Sequence, residues 1–408
     1  MVMEEFSEVV VIGGGPSGSF TALNLAKRGI RVTVFEEHQE IGVPLHCAGH
    51  ISIGNLTRLG LYPLPKNIVE NIFLGAKIYF PNGAELTLKF NEPITCTVNR
   101  ELFDKHIAQL AQKHGAIYHL RTRVKSLIRE NGFVSGVQAQ QENKTFTVSS
   151  KIVVDAEGFP PRMLTEAGIK NLGKRIFVNG IHAEVENIDA ELDFVEVFLG
   201  KAYAPGFYAW LIPKRDEKAK IGLAVKRGNP EEFLKKLMYR HPVASKKLQK
   251  ARILKKSFHP ITLGGIIQKA YSNGFLAVGD AASQVKPTTG GGIILGLNCA
   301  KIAADVIQKA LDNDNFSAEM LMDYQKRIEK LFKFDMQVML MIRKMLDKIS
   351  DKKLDEFAKF CAKFHLENSI KEIEEIDFQG RAILKAIKNP RIFLAVAHFI
   401  AAACLPSK

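Results

Sequence analysis

Tryptophan occurs once in this chain of 408 residues, at Trp210, and the five cysteines (Cys47, Cys96, Cys299, Cys361 and Cys404) never fall in a C-x-x-C pair. Without paired spacing, neither a zinc site nor an iron–sulfur cluster has its ligands close in sequence, and no metal is expected. Scattered thiols fit a reducing, cytosolic setting. Long apolar runs are also missing. The most apolar stretch, residues 393–405, is interrupted by His398 and falls short of the roughly 20 residues that a spanning helix needs. Residues 1–8 are acidic and lead directly into an apolar strand, which is not the basic start and apolar stretch of a secretory signal. No internal repeat or low-complexity linker is present. Acidic residues are the scarcer charge: 43 Asp and Glu face 57 Lys and Arg, a net +14. That excess favours anionic partners in general, whether nucleic acid, an acidic membrane surface or a phosphorylated substrate, or it is simply a solvated lysine-rich surface.

The hydrophobic content of 46% is that of an ordinary globular protein, in a chain long enough for two or three domains. Its opening reads strand (residues 8–12), glycine turn (13–18), helix (to Lys27) and strand (31–35, followed by Glu36), a βαβ unit of the expected length. Residues 73–90 and 177–225 change to short alternating runs separated by Asn-Gly and Pro-Gly turns, which predicts an inserted antiparallel sheet. The chain then returns to the first domain with a buried strand at 274–280, a glycine cluster and a helix over 293–310. Beyond Asp312 apolar residues recur at helical spacing over 320–349, 354–376 and 381–405. The segment 246–256 is locally very basic.

Gly13, Gly15 and Gly18 occupy the G-x-G-x-x-G positions, where missing side chains permit a tight turn, close approach of backbone to a pyrophosphate and close helix-to-strand packing. The spacing alone is weak. Here it follows a strand and opens a helix whose first turn holds Ser17. The second strand then ends at Glu36, a carboxylate placed to accept hydrogen bonds from a ribose. Those features predict a dinucleotide but do not separate NAD from FAD.

The second segment decides between them. Phe275-Leu-Ala-Val-Gly-Asp280 resembles the FAD-dependent family that includes aromatic hydroxylases and geranylgeranyl reductases, in which such a Gly-Asp places its carboxylate on the ribityl chain of FAD. The resemblance gives that role to Asp280. It also implies that Gly291, Gly292 and Ile293 start a helix whose amides face the flavin ring, that Arg100 contacts FAD, and that the backbone of Val124 meets the adenine. Without the resemblance, Arg100 reads as a surface helix cap. Pro205-Gly-Phe-Tyr208-Ala-Trp210-Leu-Ile-Pro213 is similar to the P-x-x-Y-x-W-x-F-P signature of geranylgeranyl reductases, with Ile212 where Phe is usual. Pro205, Tyr208 and Trp210 are thereby substrate residues. On one strand face, Tyr208 and Trp210 wall an apolar tunnel, or else they fill the core of the sheet. The motif at Cys47, Ala48 and His50 resembles the Cys-Ala motif that the same reductases carry beside the flavin ring, although Gly49 stands where Glu is usual. Cys47 is otherwise a small buried hydrophobe. Residues 154–162 resemble the Asp-Gly motif of hydroxylases, but altered and without its serine.

The resemblance implies an α/β protein. A Rossmann-like, two-dinucleotide-binding-type FAD domain (residues 1–72, 98–165 and 268–312) carries an inserted antiparallel-sheet substrate domain (73–97 and 166–267) and a C-terminal helical region (313–408). The expected reaction is reduction of isolated double bonds in the geranylgeranyl chains of archaeal-type membrane phospholipids. FAD is the cofactor, and ferredoxin or NAD(P)H the reductant. An isolated alkene accepts hydride poorly, so a proton must reach the second carbon in a dry slot. Cys47, or a water beside it, is the candidate proton source, with Tyr208 and Trp210 aligning the chain. The expected setting is cytoplasmic, peripheral at the inner membrane surface, with no nucleic acid bound. The alternatives on the same fold are a monooxygenase or halogenase, or a quinone-linked electron-transfer flavoprotein.

Overall fold

The computed structural model describes residues 5–45, 47–170, 177–215, 217–369 and 376–404. The chain divides into two compact units, each made of three separated segments.

The first unit comprises Met1–Leu45, Arg100–Ile176 and Thr262–Lys333. Its eight-stranded sheet has a parallel centre, in which Glu5–Ile12 lies between Lys144–Asp155 and Val32–Phe35. Phe275–Ala277 and Ile117–His119 extend it in parallel on either side. Val9, Val10 and Val11 are 0% exposed, as a strand covered on both faces requires, which explains a continuous apolar run where a half-buried strand would alternate. The hairpin of Thr122–Glu130 and Phe133–Gln141 adds antiparallel strands to Lys144–Asp155. The glycine-turn helix Pro16–Ala26 packs against the helices Arg100–Lys113 and Ile293–Asp312.

The second unit comprises His46–Asn99, Phe177–Ile261 and Phe334–Lys408. Its seven-stranded sheet runs in the order Arg252–Thr262, Phe177–Glu186, Lys218–Val225, Ala209–Pro213, Phe194–Phe198, Gly75–Tyr79, Glu85–Lys89. Its four central strands, from Phe177–Glu186 to Phe194–Phe198, pair antiparallel, as the alternating runs imply. Phe194–Phe198 lies parallel to Gly75–Tyr79, however. These two strands come from different chain segments, so no hairpin dictates their direction. The helix Pro230–Arg240 seals one face of the sheet, with Leu234 and Leu237 packed against Ile181, Leu211, Ile221 and Leu223.

Residues 46–72, assigned from sequence to the nucleotide domain, group with the second unit. The cause is a small three-stranded sheet in which His50–Ser52 and Val69–Phe73 both pair with Thr95–Val98. From Phe334 onward the tail likewise builds on this unit, whereas residues 313–333 belong to the first. Ile349, Leu354 and Ala358 pack on Phe80, while Cys361, Leu366 and Ala395 pack with Leu86. Its helices are Ala318–Lys348, Asp351–Lys363, Gln379–Ala386 and Pro390–Cys404. The stripe over 354–376 thus stops as a helix at Lys363, and residues 370–375 lie outside the described ones. Among the described residues no helix is long and apolar enough to cross a membrane.

Candidate functional site

In the first unit the glycine turn is built by steric necessity at two positions and by none at a third. Gly13 adopts φ +100°, and a Cβ there would lie 2.4 Å from the carbonyl oxygen of Ala156. A Cβ on Gly18 would lie 2.0 Å from the carbonyl oxygen of Gly13. A Cβ on Gly15, by contrast, would meet nothing within 4 Å. Protein packing therefore does not require glycine at position 15. Gly15 also begins the helix Pro16–Ala26 without a side-chain cap, so first-turn amides are left for a partner from outside.

Glu36 is nearly buried and fastens this turn. Its Oε2 accepts from the Gly14 N–H at 2.8 Å, and its Oε1 accepts from the His38 N–H at 2.9 Å with His38 Nδ1 at 2.6 Å. The Ser17 side chain points the other way. A Cβ on Gly279 or Gly296 would come within 2.7 or 2.3 Å of its hydroxyl oxygen, so those two glycines make room for Ser17.

The Gly279–Asp280 turn is locked by two residues that sequence reasoning missed. The Gly279 N–H donates to Gln284 Oε1 at 2.7 Å, and Gln284 Nε2 donates to the Tyr324 hydroxyl at 2.8 Å. That hydroxyl in turn donates to the Ala277 carbonyl at 2.9 Å. Asp280 is held there with its pKa raised to about 6, because burial disfavours the carboxylate more than the Arg100 charge stabilises it. A Cβ on Gly292 would lie 2.7 Å from Asp280 Oδ1, so the glycine leaves room for the carboxylate at the start of the helix Ile293–Asp312. That helix also begins without a side-chain cap.

Arg100 is not a surface cap: its side chain is 12% exposed and donates through Nε and Nη2 to the two oxygens of Asp104, at 2.9 and 2.8 Å. Asp104 was the readable signal here, four residues along the same helix. Val124 is buried in the strand Thr122–Glu130, opposite Ala139. The altered motif ends its strand with Asp155, whose buried carboxyl accepts from the Glu157 N–H at 3.1 Å and is kept well above the ordinary carboxylate pKa by burial and by Glu157.

The second unit brings the other named residues together. Ala48 and Trp210 pack in one apolar cluster with Phe73, Val195 and Ile212. His50 meets Phe73 edge-on at 5.6 Å. Tyr208 stands edge-on to Trp210 at 5.9 Å and stacks on Phe207 at 4.5 Å. Burial raises the pKa of the Tyr208 hydroxyl, with the Arg343 charge opposing and Cys47 adding to the rise, which puts Cys47 and Arg343 within electrostatic reach of that hydroxyl. Cys47 is half-buried, and its Sγ accepts from the Gly49 N–H at 3.4 Å. Pro205 precedes a turn at Gly206 (φ +85°), and its carbonyl accepts from the Lys226 N–H at 2.8 Å. Trp210 lies over Gly222, where a Cβ would come within 2.4 Å of the indole, and its Nε1 has no partner. His182, directly opposite Gly222, has both ring nitrogens unpartnered and is kept neutral, with a pKa of about 3, by burial and then by Lys220, Lys214 and Lys255.

The first unit's groups fit a flavin dinucleotide: an open glycine at an uncapped helix start, a ribose-side carboxylate, and a buried carboxylate beside a second uncapped helix start. Among the described residues no three His, Cys, Asp or Glu side chains gather closely enough to hold a metal ion.

Residues 7–327 match a protein family described as FAD binding domain. The chain is 33% identical over 362 residues to a digeranylgeranylglycerophospholipid reductase of Methanocaldococcus jannaschii, covering 87% of this chain and 90% of that one. It is 32% identical to the same-named protein of Methanococcus vannielii, over 95% and 96% of the two chains. Among solved structures, a geranylgeranyl bacteriochlorophyll reductase-like protein of Thermoplasma acidophilum superimposes with a TM-score of 0.86 at 27% identity, covering 97% of this chain and 100% of that one. A flavin-dependent brominase shares the fold at a TM-score of 0.74 and 18% identity, covering 95% and 99%.

Proposed function

We propose, because the chain belongs to the geranylgeranyl reductase family of FAD-dependent oxidoreductases, that it saturates isolated double bonds in the geranylgeranyl chains of membrane phospholipids. In this reading the first unit holds FAD, through the turn at Gly13, Gly15, Ser17 and Gly18, through Glu36, Arg100 and the Val124 backbone, and through Asp280 with Gly291, Gly292 and Ile293. The second unit receives the lipid. One observation carries the substrate reading: Ala48 and Trp210 share an apolar cluster, while Cys47 lies within electrostatic reach of Tyr208. An apolar wall with a proton-bearing group at its edge is what an alkene needs, since it offers no polar handle and must gain a proton as well as a hydride. Bound FAD, once reduced, supplies the hydride. Cys47 supplies or relays the proton, Tyr208 and Trp210 align the chain, and Pro205 sets the turn that carries them.

The test is a single turnover. Protein photoreduced without oxygen should be reoxidised by geranylgeranyl phospholipid, with two hydrogens gained by the lipid for each flavin reoxidised. A monooxygenase or halogenase stays reduced until oxygen is admitted, and that behaviour with lipid present would sink the reading.

A phospholipid substrate also implies peripheral contact with the inner membrane surface, and the tail offers the means. On the helix Pro390–Cys404, Phe393, Leu394 and Ile400 are exposed, with Lys385, Lys388 and Arg391 just ahead of them. An apolar stripe beside basic residues suits an interfacial helix. The basic run 246–256 is less available than its sequence implies, because Lys247, Arg252 and Lys256 pair with Glu196, Glu186 and Glu231. The protein should therefore co-sediment with anionic vesicles and lose several-fold of that binding in 0.5 M salt, since each basic residue near an acidic surface contributes about 1 kcal/mol. Phe393→Asp should weaken binding at all salt concentrations. Equal binding to neutral and anionic vesicles would remove the electrostatic part.

A further inference from the structure

The strand Lys218–Val225 is buried at every position after its first, and Lys220 in the midst of that run is 0% exposed. A charge so placed needs a reason, because a methionine of similar length would fill the space without the cost of desolvating an ammonium. The reason is in what surrounds the ammonium. Lys220 Nζ donates to the carbonyl of Ala48 at 3.0 Å and to the carbonyl of Val98 at 3.0 Å, and it lies 2.5 Å from Glu70 Oε2 as an ion pair. The other oxygen of Glu70 pairs with Lys214 at 2.7 Å. Two of the ammonium's N–H groups thus go to backbone carbonyls, and the Glu70 carboxylate beside it balances its charge.

Two of the three partners are backbone, and one of them belongs to the segment that carries Cys47 in the proposed function. Ala48 directly follows Cys47. Val98 is tied to the same segment a second time, since its N–H donates to the carbonyl of Gly49 at 2.9 Å, and the Gly49 N–H in turn donates to Cys47 Sγ at 3.4 Å. A closed circuit results: Lys220 to Ala48, Ala48 to Gly49 along the chain, Gly49 to Val98, and Val98 back to Lys220. Cys47 hangs at one corner of it. Between Gly42 (φ +82°) and Gly49 (φ +73°), both in the left-handed region, residues 43–45 and 47–48 have neither helix nor strand structure, so regular structure does not hold the thiol in place.

We propose that Lys220 is a positioning residue whose buried ammonium clamps the backbone on both sides of this circuit and so fixes Cys47 relative to Tyr208 and Trp210. Glu70 balances the charge, and Lys214 holds Glu70. The inference rests on the proposed role of Cys47 only where it concerns rate. Where it concerns the clamp, it stands on geometry alone.

The test uses full-length, FAD-loaded protein carrying Cys404→Ser, which leaves Cys47 as the one cysteine that is not buried. Two quantities are compared with that parent: the rate at which iodoacetamide traps Cys47, and the single-turnover reoxidation by geranylgeranyl phospholipid. Lys220→Met is paired with Glu70→Gln so that no carboxylate is stranded. The pair should retain FAD, trap at least fivefold faster, and reoxidise at least tenfold more slowly at saturating lipid, with half-saturation within twofold. Glu70→Gln alone keeps both carbonyl contacts and should leave both rates within twofold. Trapping within twofold of the parent in the folded double variant would overturn the clamp. Faster trapping with unchanged reoxidation upholds the clamp and removes Cys47 from the chemistry. If the methionine variant does not fold, Lys220→Gln with Glu70→Gln takes its place, and a trapping rate less than twofold above Glu70→Gln alone overturns the proposal.

Discussion

Asp280→Ala should leave purification with little FAD, and Asp280→Asn should be more stable than the wild type when both are stripped of cofactor at neutral pH. The first result follows from the carboxylate's place beside the uncapped start of the helix Ile293–Asp312, where the glycine at position 292 leaves room for it. Losing a charge-assisted hydrogen bond to a ribityl hydroxyl weakens binding by about 1.5–3 kcal/mol, roughly ten- to a hundredfold. The second result follows from burial. Raising an acid from the ordinary 3.8 to about 6 in the folded state costs about 3 kcal/mol of stability at neutral pH. The sign is fixed by proton uptake. Between pH 4 and 6 the folded protein binds a proton that the unfolded chain does not, so lowering the pH through about 6 relieves the cost. The stability gap between Asp280→Asn and wild type should therefore be widest above pH 6.5 and close toward pH 4. Denaturant titrations of both FAD-free proteins at several pH values measure it, and FAD must be absent because a bound ligand adds its own stabilisation. A gap independent of pH, or an Asp280→Ala protein with full FAD content, would remove Asp280 from the site.

What was legible in the sequence was whatever local sterics dictate. The glycine turn could be read because Gly13 and Gly18 each answer to a backbone atom that a Cβ would strike, and its strand because three consecutive buried valines leave no polar face. The Arg100–Asp104 pair was spelled out at i, i+4, but nothing local said that Asp104 is 4% exposed. The buried circuit around Lys220 was not legible at all. Its partners at positions 48, 70, 98 and 214 meet only when distant strands assemble, and in sequence Lys220 is one more lysine in a lysine-rich chain. The same holds for residues 46–72. Three-residue strands such as His50–Ser52 carry almost no periodic signal, so the partner strand Thr95–Val98 decides which unit they join. In the tail, apolar spacing located the helices but not their ends. Asp351–Lys363 stops just before His365, which adopts φ +49°, and a new helix begins at Pro390, where proline suits a first turn.

Cys47→Ala should keep its FAD and slow the single-turnover reoxidation by geranylgeranyl lipid about a hundredfold, whereas Trp210→Ala should raise the half-saturating lipid concentration about tenfold with a smaller change in rate. The contrast comes from what each side chain has to offer. Trp210 presents an indole to an apolar cluster, with Gly222 absent of side chain to make room. That is contact area, equally useful before and during reaction, and its loss appears in binding. In the proposed function it is also the surface against which the chain lies, so the double bond that is reduced first should shift. Proton supply is different. Of the two protic groups near each other here, burial pushes the Tyr208 hydroxyl up from its ordinary pKa, which makes it a poorer acid than a phenol in water. In the proposed function Cys47 is the donor, and general-acid catalysis is worth about 3 kcal/mol or more when the donor is in reach. Alanine removes the proton source while filling nearly the same space, so folding and cofactor content should not change. Stopped-flow reoxidation without oxygen resolves both variants. A Cys47→Ala rate within threefold of wild type, less than about 1 kcal/mol in barrier, would make Cys47 a packing residue and transfer the proton donor's role to Tyr208 or water.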